Sequence, residues 1–526
     1  MPNSKSKAPP NRGSAPDKKY FQLWRRFYEP LVMLKILGST RGEHSPKPQQ
    51  QSPVHRFLDN LAYLADHDKG GSTTSAIGLE DAPDRFNFWI ASNEPKQSVK
   101  SSIFLASFLQ DVRVIADSTN GRRKSLEEKA THRCINFAKN RVKKEAKMLA
   151  RDITKCMGCF TNPEDTELCE WLKRFQETEP LELCYLAYRE RDSPMKGRLD
   201  RQLSPYNDSC TMDRRSVAIK DVVHRLGRLA HHVRAPHQVI EDVSNQPGLR
   251  NVLDEFQVHF IPSHLVVDRP NAEPNIHIHS IMTRMLPCDG FNAEYREAAD
   301  TMNRRFDIVK RFKDTYDDKN FSPLMHAEIQ VLEHFWGRRQ FFEDDRYIGC
   351  SKPACYCCHL YMQHHPARCA VPQTSRNVYL NWGLRLLPQG SRDPEYKHQR
   401  DILNEMAKSI REDALDQILR KTSAAPWHPD SQTGFTLRVP SVQGEVLQTT
   451  IDQAPLTDAM RMVDLDLATD SDESQPSSTG GYASGSRHSS VASMSDDSKR
   501  GMRKLSWPVI EDSDDDSDSS SGGAML

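Results

Sequence analysis

Four of the chain's 12 cysteines fall within nine residues, as Cys350, Cys355, Cys357 and Cys358 in the stretch "YIGCSKPACYCC". A fold that holds them has to lead a strand, "RYIGCSK", into a short helix, "PACYCCHLYMQHH", which closes before Pro366. Residues at i and i+3 share a helix face. Cys355 and Cys358 therefore project together from the first turn, where free backbone amides and the positive end of the helix dipole favour thiolates. Such a pair suits a soft divalent metal. Cys357 points elsewhere and fits the core or the surface, as free cysteine usually does.

What cysteines do depends on the compartment. The opening stretch "MPNSKSKAPPNRGSAPDKKY" is polar and Pro-rich, with neither the apolar core nor the small-residue cleavage site of a secretory signal. The early apolar run "LVMLKILG" falls well short of the roughly 18 residues that a membrane span needs. The expectation is an intracellular chain, in cytoplasm or nucleus, with no membrane segment. There, cysteines serve as metal ligands, catalytic groups or small hydrophobes rather than in disulfides.

At 526 residues, with 37% hydrophobic content and 32 prolines, the chain exceeds one ordinary domain and joins globular parts to unstructured ones. Its 72 basic residues cancel its 72 acidic ones, and the balance hides an asymmetry. From Thr469 onward the sequence is Ser, Asp and Gly with almost nothing to bury, so residues 469–526 read as a disordered acidic tail that either binds protein partners or solubilises the chain. Residues 1–19 are expected to be disordered as well.

Residues 20–251 read as mostly helical. Ser125 with Glu128 three residues on forms a capping box that opens a basic amphipathic helix running to Cys156. In "RRSVAIKDVVHRLGRLAHHVR", Ile219, Val222, Val223, Leu226, Leu229, Ala230 and Val233 recur at helical spacing. Arg214, Arg225, Arg228, His232 and Arg234 lie largely off that stripe, on a face suited either to solvent or to a phosphate backbone. Between Gly70 and Gln110, Gly, Ser and Pro punctuation predicts a loop with a short helical segment. The texture changes near Phe256. "FQVHFIP", "HLVVD", "NIHIHSIM", "CAVP" and "NVYLNW" carry the marks of strands. "NAEYREAADTMNRRFDIVKRFKDTYD" and "MHAEIQVLEHFWGRRQFF" read as helices. Alternation of this kind predicts an α/β sandwich layered around one sheet over residues 256–392, followed by a helix within 393–424.

The Cys355/Cys358 pair gains weight from "HAE" upstream. His326 precedes Cys355 by 29 residues, room for a helix, a turn and a strand that return the chain to the same place. An imidazole and two thiolates then converge on one metal and leave a position for water. A second CxxC, Cys156 and Cys159 with Cys169 nearby, lacks an evident fourth partner and reads as structural.

These residues resemble the zinc deaminases of the cytidine deaminase superfamily, whose signature is HxE followed by PCxxC on the next helix. More closely, "HAEIQVLEHF", "YIGCSKPACYCCHLYM" and "NVYLNW" resemble a divergent deaminase-like family common in fungi, acting on nucleic acids or nucleotides. The resemblance covers about residues 321–388. It implies a three-layer deaminase-like sandwich with a mixed sheet, His326, Cys355 and Cys358 as ligands to Zn2+, and Glu328 as the proton shuttle of hydrolytic deamination. The chain departs from the signature at Ala354, which separates Pro353 from Cys355.

One alternative stays open. Cys350 ends the strand five residues before Cys355, and if its thiolate also reached the metal the site would be a closed structural staple in a binding protein without catalysis. Tyr379 and Trp382 suit either stacking on a base or a place in the core. His359, His364 and His365, at the helix end, are expected at the surface.

Overall fold

The segment read as a loop supplies the centre of the sheet. In the computed structural model, which describes residues 17–422 apart from 43–44, 46–50, 204–213, 288–289 and 319–320, β1 (Ser75–Ala82) and β2 (Arg85–Ser92) form an antiparallel hairpin. Pro83 and Asp84 turn the chain between them, and a two-residue connection of this sort fixes the register. The prediction for residues 70–110 is thus corrected. Glycine and serine punctuation outweighed a period-2 alternation of Ile77 and Leu79 with Ala76 and Gly78, and of Phe88 and Ile90 with Trp89 and Ala91. β3 (Phe256–Phe260) lies parallel to β2, and β4 (Gly349–Cys350) pairs antiparallel with β1, giving a mixed sheet in the order β3-β2-β1-β4.

Helices cover both faces. The N-terminal half contains α1 (Lys18–Leu37), α2 (Pro53–Ala65), α3 (Pro95–Ala116), α4 (Asn120–Phe137), α5 (Lys139–Met157), α6 (Thr166–Glu177), α7 (Pro180–Arg189), α8 (Pro194–Arg201), α9 (Arg214–Asn245) and α10 (Pro247–Val252). After β3 come α11 (Ile278–Met285), α12 (Ala293–Phe306), α13 (Ile308–Asp317), α14 (Ala327–Phe335), α15 (Tyr356–His364) and α16 (Tyr396–Leu419). Ile77, Leu79, Phe88 and Ile90 pack with Phe57, Leu61, Leu105 and Leu109 of α2 and α3. On the other face Ala76 and Ala91 join Ile329, Val331 and Leu332 of α14, in a core shared with α1, α15 and α16. The result is the α/β class expected, with a small mixed sheet inside a mostly helical chain. A third core joins α5 to α8 with the first half of α9.

Two glycines set the spacing. A Cβ on Gly78 would stand 2.5 Å from the Phe335 ring, and one on Gly349 would stand 2.5 Å from the backbone of Leu58, so α14 and α2 approach the sheet only because these side chains are missing.

Several element boundaries differ from expectation. Ser125 lies inside α4 rather than at a helix start, and the helix beyond it breaks at Ala138. The helix from Asn292 to Asp317 is two, because Asp307 adopts φ 51° and closes α12 in a left-handed turn that Asp tolerates. "NIHIHSIM" forms α11 rather than a strand, its alternation overridden by burial of Ile278, Ile281, Met282 and Met285 on one helical face. "HLVVD" and "NVYLNW" give only single bridges, Val266 to Arg385, Thr40 to Asn377 and Leu324 to Trp382. "CAVP" forms no strand. The first helix begins at Lys18, capped by Asp17, just inside the stretch expected to be disordered. The rest of residues 1–19 and the acidic tail at 469–526 lie outside the described residues. No described helix is long and apolar enough to cross a membrane.

Candidate active site

Two helix starts meet beside the sheet. His326 is the N-cap of α14 and Cys355 the N-cap of α15, so both sit where backbone amides are unpaired by the helix. The Asn93 side chain, at the end of β2, accepts from the Ala327 N–H at 2.9 Å and fixes the first turn of α14. Cys355 Sγ accepts from the Cys358 N–H at 3.4 Å. The approach of α15 is held from below by the Ala354 carbonyl, which accepts from the Ser375 N–H at 2.8 Å and the Thr374 hydroxyl at 3.0 Å.

This brings together three of the predicted residues. His326 Nδ1 lies 3.5 Å from Cys355 Sγ and 3.3 Å from Cys358 Sγ. The three donor atoms lie within 4.8 Å of one another and all three residues are buried, a group able to hold a metal ion. Glu328 follows in the first turn of α14, 7% exposed, and lines the cavity over the group. Burial pushes the Cys355 thiol up, but its hydrogen bond with Cys358 and the His326 imidazole outweigh burial and hold it below the usual thiol range. Cys358 is driven up by burial and by the neighbouring Cys355 thiolate.

Cys350 is not brought into the group. Its thiol donates to the Ile348 carbonyl at 3.4 Å and its backbone pairs opposite Ala76 in β1. Among the described residues, Cys156, Cys159 and Cys169 form no such group either. Cys357 is fully buried. Trp382 is core, 2% exposed, yet its indole N–H donates to Cys358 Sγ at 3.2 Å, a role that no spacing rule in the sequence signals. Tyr379 lines the cavity, its ring centroid 6.3 Å from that of His326. The expectation for His365 is corrected: it is buried, with Nε2 3.2 Å from Glu333 Oε1, because α16 covers the end of α15.

The cavity measures about 440 Å³, within the range of small-molecule sites. The helical half of the chain contributes Lys69, His224, Arg225 and Arg228 to its lining. Another cavity, about 550 Å³, lies between α1 and α11, is lined by Arg25, Glu29, Arg284 and Arg411, and contains none of the predicted site residues.

Comparison with known proteins agrees with the geometry over a limited span. A family model described as OTT_1508_deam-like deaminase matches residues 325–386. This segment is deaminase-like. It carries His326, Glu328, Cys355, Cys358 and Trp382, and it is a small part of the 526-residue chain. Neither the curated proteins nor the solved structures returned a match. The deaminase-like segment contains one two-residue strand, β4, so the cavity it faces is completed by elements outside the match.

Proposed function

We propose that the chain is a zinc-dependent hydrolytic deaminase of the cytidine deaminase superfamily, acting on a nucleobase carried in a nucleotide or nucleic acid. The observation that carries this reading is the convergence of His326, Cys355 and Cys358 at two helix starts, with Glu328 beside them in one cavity. One imidazole and two thiolates suit zinc. Zn–N near 2.0–2.1 Å and Zn–S near 2.3 Å at a tetrahedral angle separate N from S by about 3.5 Å, and the observed separations are 3.3 and 3.5 Å. When bound, zinc supplies Lewis acidity that makes water nucleophilic at neutral pH.

The chain supplies the rest. Deamination replaces an exocyclic amine with the oxygen of water and releases ammonia, so a proton has to leave the water and reach the ring nitrogen and the departing amine. Glu328, a carboxylate outside the ligand group, is placed to carry it. Burial of His326 and Cys358 limits competing water. The hydrogen-bonded position of the Cys350 thiol weighs against a closed four-ligand staple.

Glu328→Gln is expected to retain zinc and to lower ammonia release by at least about 100-fold, measured against a panel of nucleosides, nucleotides and oligonucleotides. Unchanged turnover would remove Glu328 from the mechanism. Zinc-edge X-ray absorption should count two sulfurs, whereas three would bring Cys350 in and favour a binding protein.

A further inference from the structure

Of the charged residues that lie off the apolar stripe of α9, Arg214 is exposed, whereas Arg228 and His232 are buried and Arg225 and Arg234 half-buried. Arg228 lines, with Arg225 and His224, the same cavity as His326, Glu328 and Cys355. Lys69 and Lys352 complete the cationic lining, against the carboxylates of Asp68 and Glu328.

Internal pairing leaves this lining short of negative charge. Arg228 meets Glu145 at 2.5 Å, but Glu145 also serves Arg141, at 3.4 Å. Asp66 is shared between Arg141 and Lys352, at 3.3 and 3.4 Å. Asp152 is shared among Arg225, Arg151 and Lys155. Asp68 is taken by Lys144 at 2.7 Å. Among the described residues the Lys69 Nζ has no hydrogen-bond or ion-pair partner. His224 is 7% exposed, and its buried Nε2 has no hydrogen-bond partner there.

We infer that this cavity is built for a phosphorylated substrate, with Lys69, His224, Arg225 and Arg228 receiving a phosphate group while the base reaches the end that holds Glu328 and the metal ligands. The local potential agrees. Burial first, and then Arg228, pull the Lys69 ammonium down to about 8. Burial, then Arg228 and Arg225, pull His224 down to about 3. A bound phosphate would oppose the cationic part of both effects and give His224 and Lys69 the partners they lack. Arg228, Lys352 and Pro353 also line an adjoining cavity of about 400 Å³, which offers a path for a chain longer than one nucleotide. What the phosphate is attached to rests on the deaminase reading, whereas the recognition of phosphate does not.

Calorimetry on the zinc-loaded full chain separates the two. Ribonucleosides, their 5′-monophosphates, short oligonucleotides and inorganic phosphate would be titrated, with ammonia release followed in parallel. Monophosphates or oligonucleotides should bind at least about tenfold tighter than the parent nucleosides, and inorganic phosphate should compete. Lys69→Gln breaks no internal pair, so it should keep the fold and the nucleoside affinity while losing most of that preference. Arg225→Gln is the second variant, its fold checked by its melting curve. Preference for monophosphates identifies a free nucleotide, and preference for oligonucleotides a polymer. Equal binding of nucleosides and phosphates, no binding at all, or a preference untouched in both variants would overturn the inference. Phosphate-dependent binding without ammonia would uphold it and remove the deaminase reading. Ammonia from nucleosides without phosphate preference would do the reverse.

Discussion

Trp382 is a buried donor beside the His326, Cys355 and Cys358 group. Its indole N–H points at Cys358 Sγ, and a hydrogen bond to a thiolate stabilises the charge the ligand has to carry. Outer partners of this kind are commonly worth 10–100-fold in metal affinity. Trp382→Phe keeps most of the aromatic volume against Phe27 and Tyr361 and deletes only the donor. The expected outcome is a drop in zinc affinity of roughly that size, read by chelator competition, with the melting temperature of the metal-free chain little changed. An unchanged affinity would make Trp382 a packing residue and nothing more. The Cys355/Cys358 pair is legible in the sequence because helix periodicity fixes which residues share a face, and His326 only through the HxE…CxxC order of the family that the segment resembles. Trp382 and Asn93 are not, because their partners lie 24 and 234 residues away and nothing local distinguishes a ligand-supporting Trp or Asn from any other.

The helices α14 and α15 are tied together by a polar clamp. Glu333 of α14 accepts from the Tyr361 hydroxyl of α15 at 2.5 Å and lies 3.2 Å from His365 and 3.5 Å from His398 of α16. Although these groups could hold a metal, His365 Nδ1 accepts from the Ala367 N–H. That turns Nε2 towards the carboxylate, a polar clamp rather than a ligand set. Burial pushes the Glu333 carboxyl up, but His365, His398 and Tyr361 outweigh burial and bring it down to about 2. Burial pulls His398 down, and the Glu333 carboxylate, with Glu395 and Asp401 nearby, raises it above its usual 6.5. A depressed carboxyl stabilises the fold above its ordinary 4.5 and loses that contribution as pH falls towards 2. A raised histidine stabilises below 6.5 and loses its contribution as pH rises through its folded value. The stability lost in Glu333→Gln should therefore be greatest between about pH 4.5 and 6.5 and shrink on both sides, as followed by urea unfolding across pH. A difference independent of pH would assign the clamp to packing. At the other face of α14, Gly78→Ala forces a methyl into Phe335 and Val331 and should cost about 1–3 kcal/mol, visible as a lower urea midpoint. No change would mean that the helix can move away from the sheet freely.

The deaminase-like segment does not contain its own sheet. β1 and β2 come from residues 75–92, β3 pairs only with β2, and β4 pairs only with β1. One compact unit takes in all the described residues, and α9 contributes His224, Arg225 and Arg228 to the cavity that His326, Glu328 and Cys355 line. A polypeptide cut to residues 256–392 keeps His326, Glu328, Cys355 and Cys358 but leaves β3 and β4 without partners. It also exposes the apolar face of α14 that packs on Ala76 and Ala91. It is expected to show no cooperative thermal transition by circular dichroism, whereas residues 17–422 should melt in one. A cooperative melt of the short piece would show that the segment folds without the hairpin.

Local rules were enough to put Cys355 and Cys358 on one helix turn and to give the apolar stripe of α9, whose Ile219, Val222, Val223, Leu226, Leu229, Ala230 and Val233 are all buried. Both depend on a helical period that acts over a few residues. The hairpin at 75–92 was hidden because its alternation sits among turn-forming residues, and its stability comes from α2, α3 and α14 closing on it rather than from strand propensity. The surroundings of Arg225 and Arg228 were hidden for a related reason. Their periodicity showed only that they lie off the stripe. Packing of α9 against α5 turned that face inward, where Arg225 meets Asp152, Arg228 meets Glu145, and both line the cavity that also holds His326, Glu328 and Cys355.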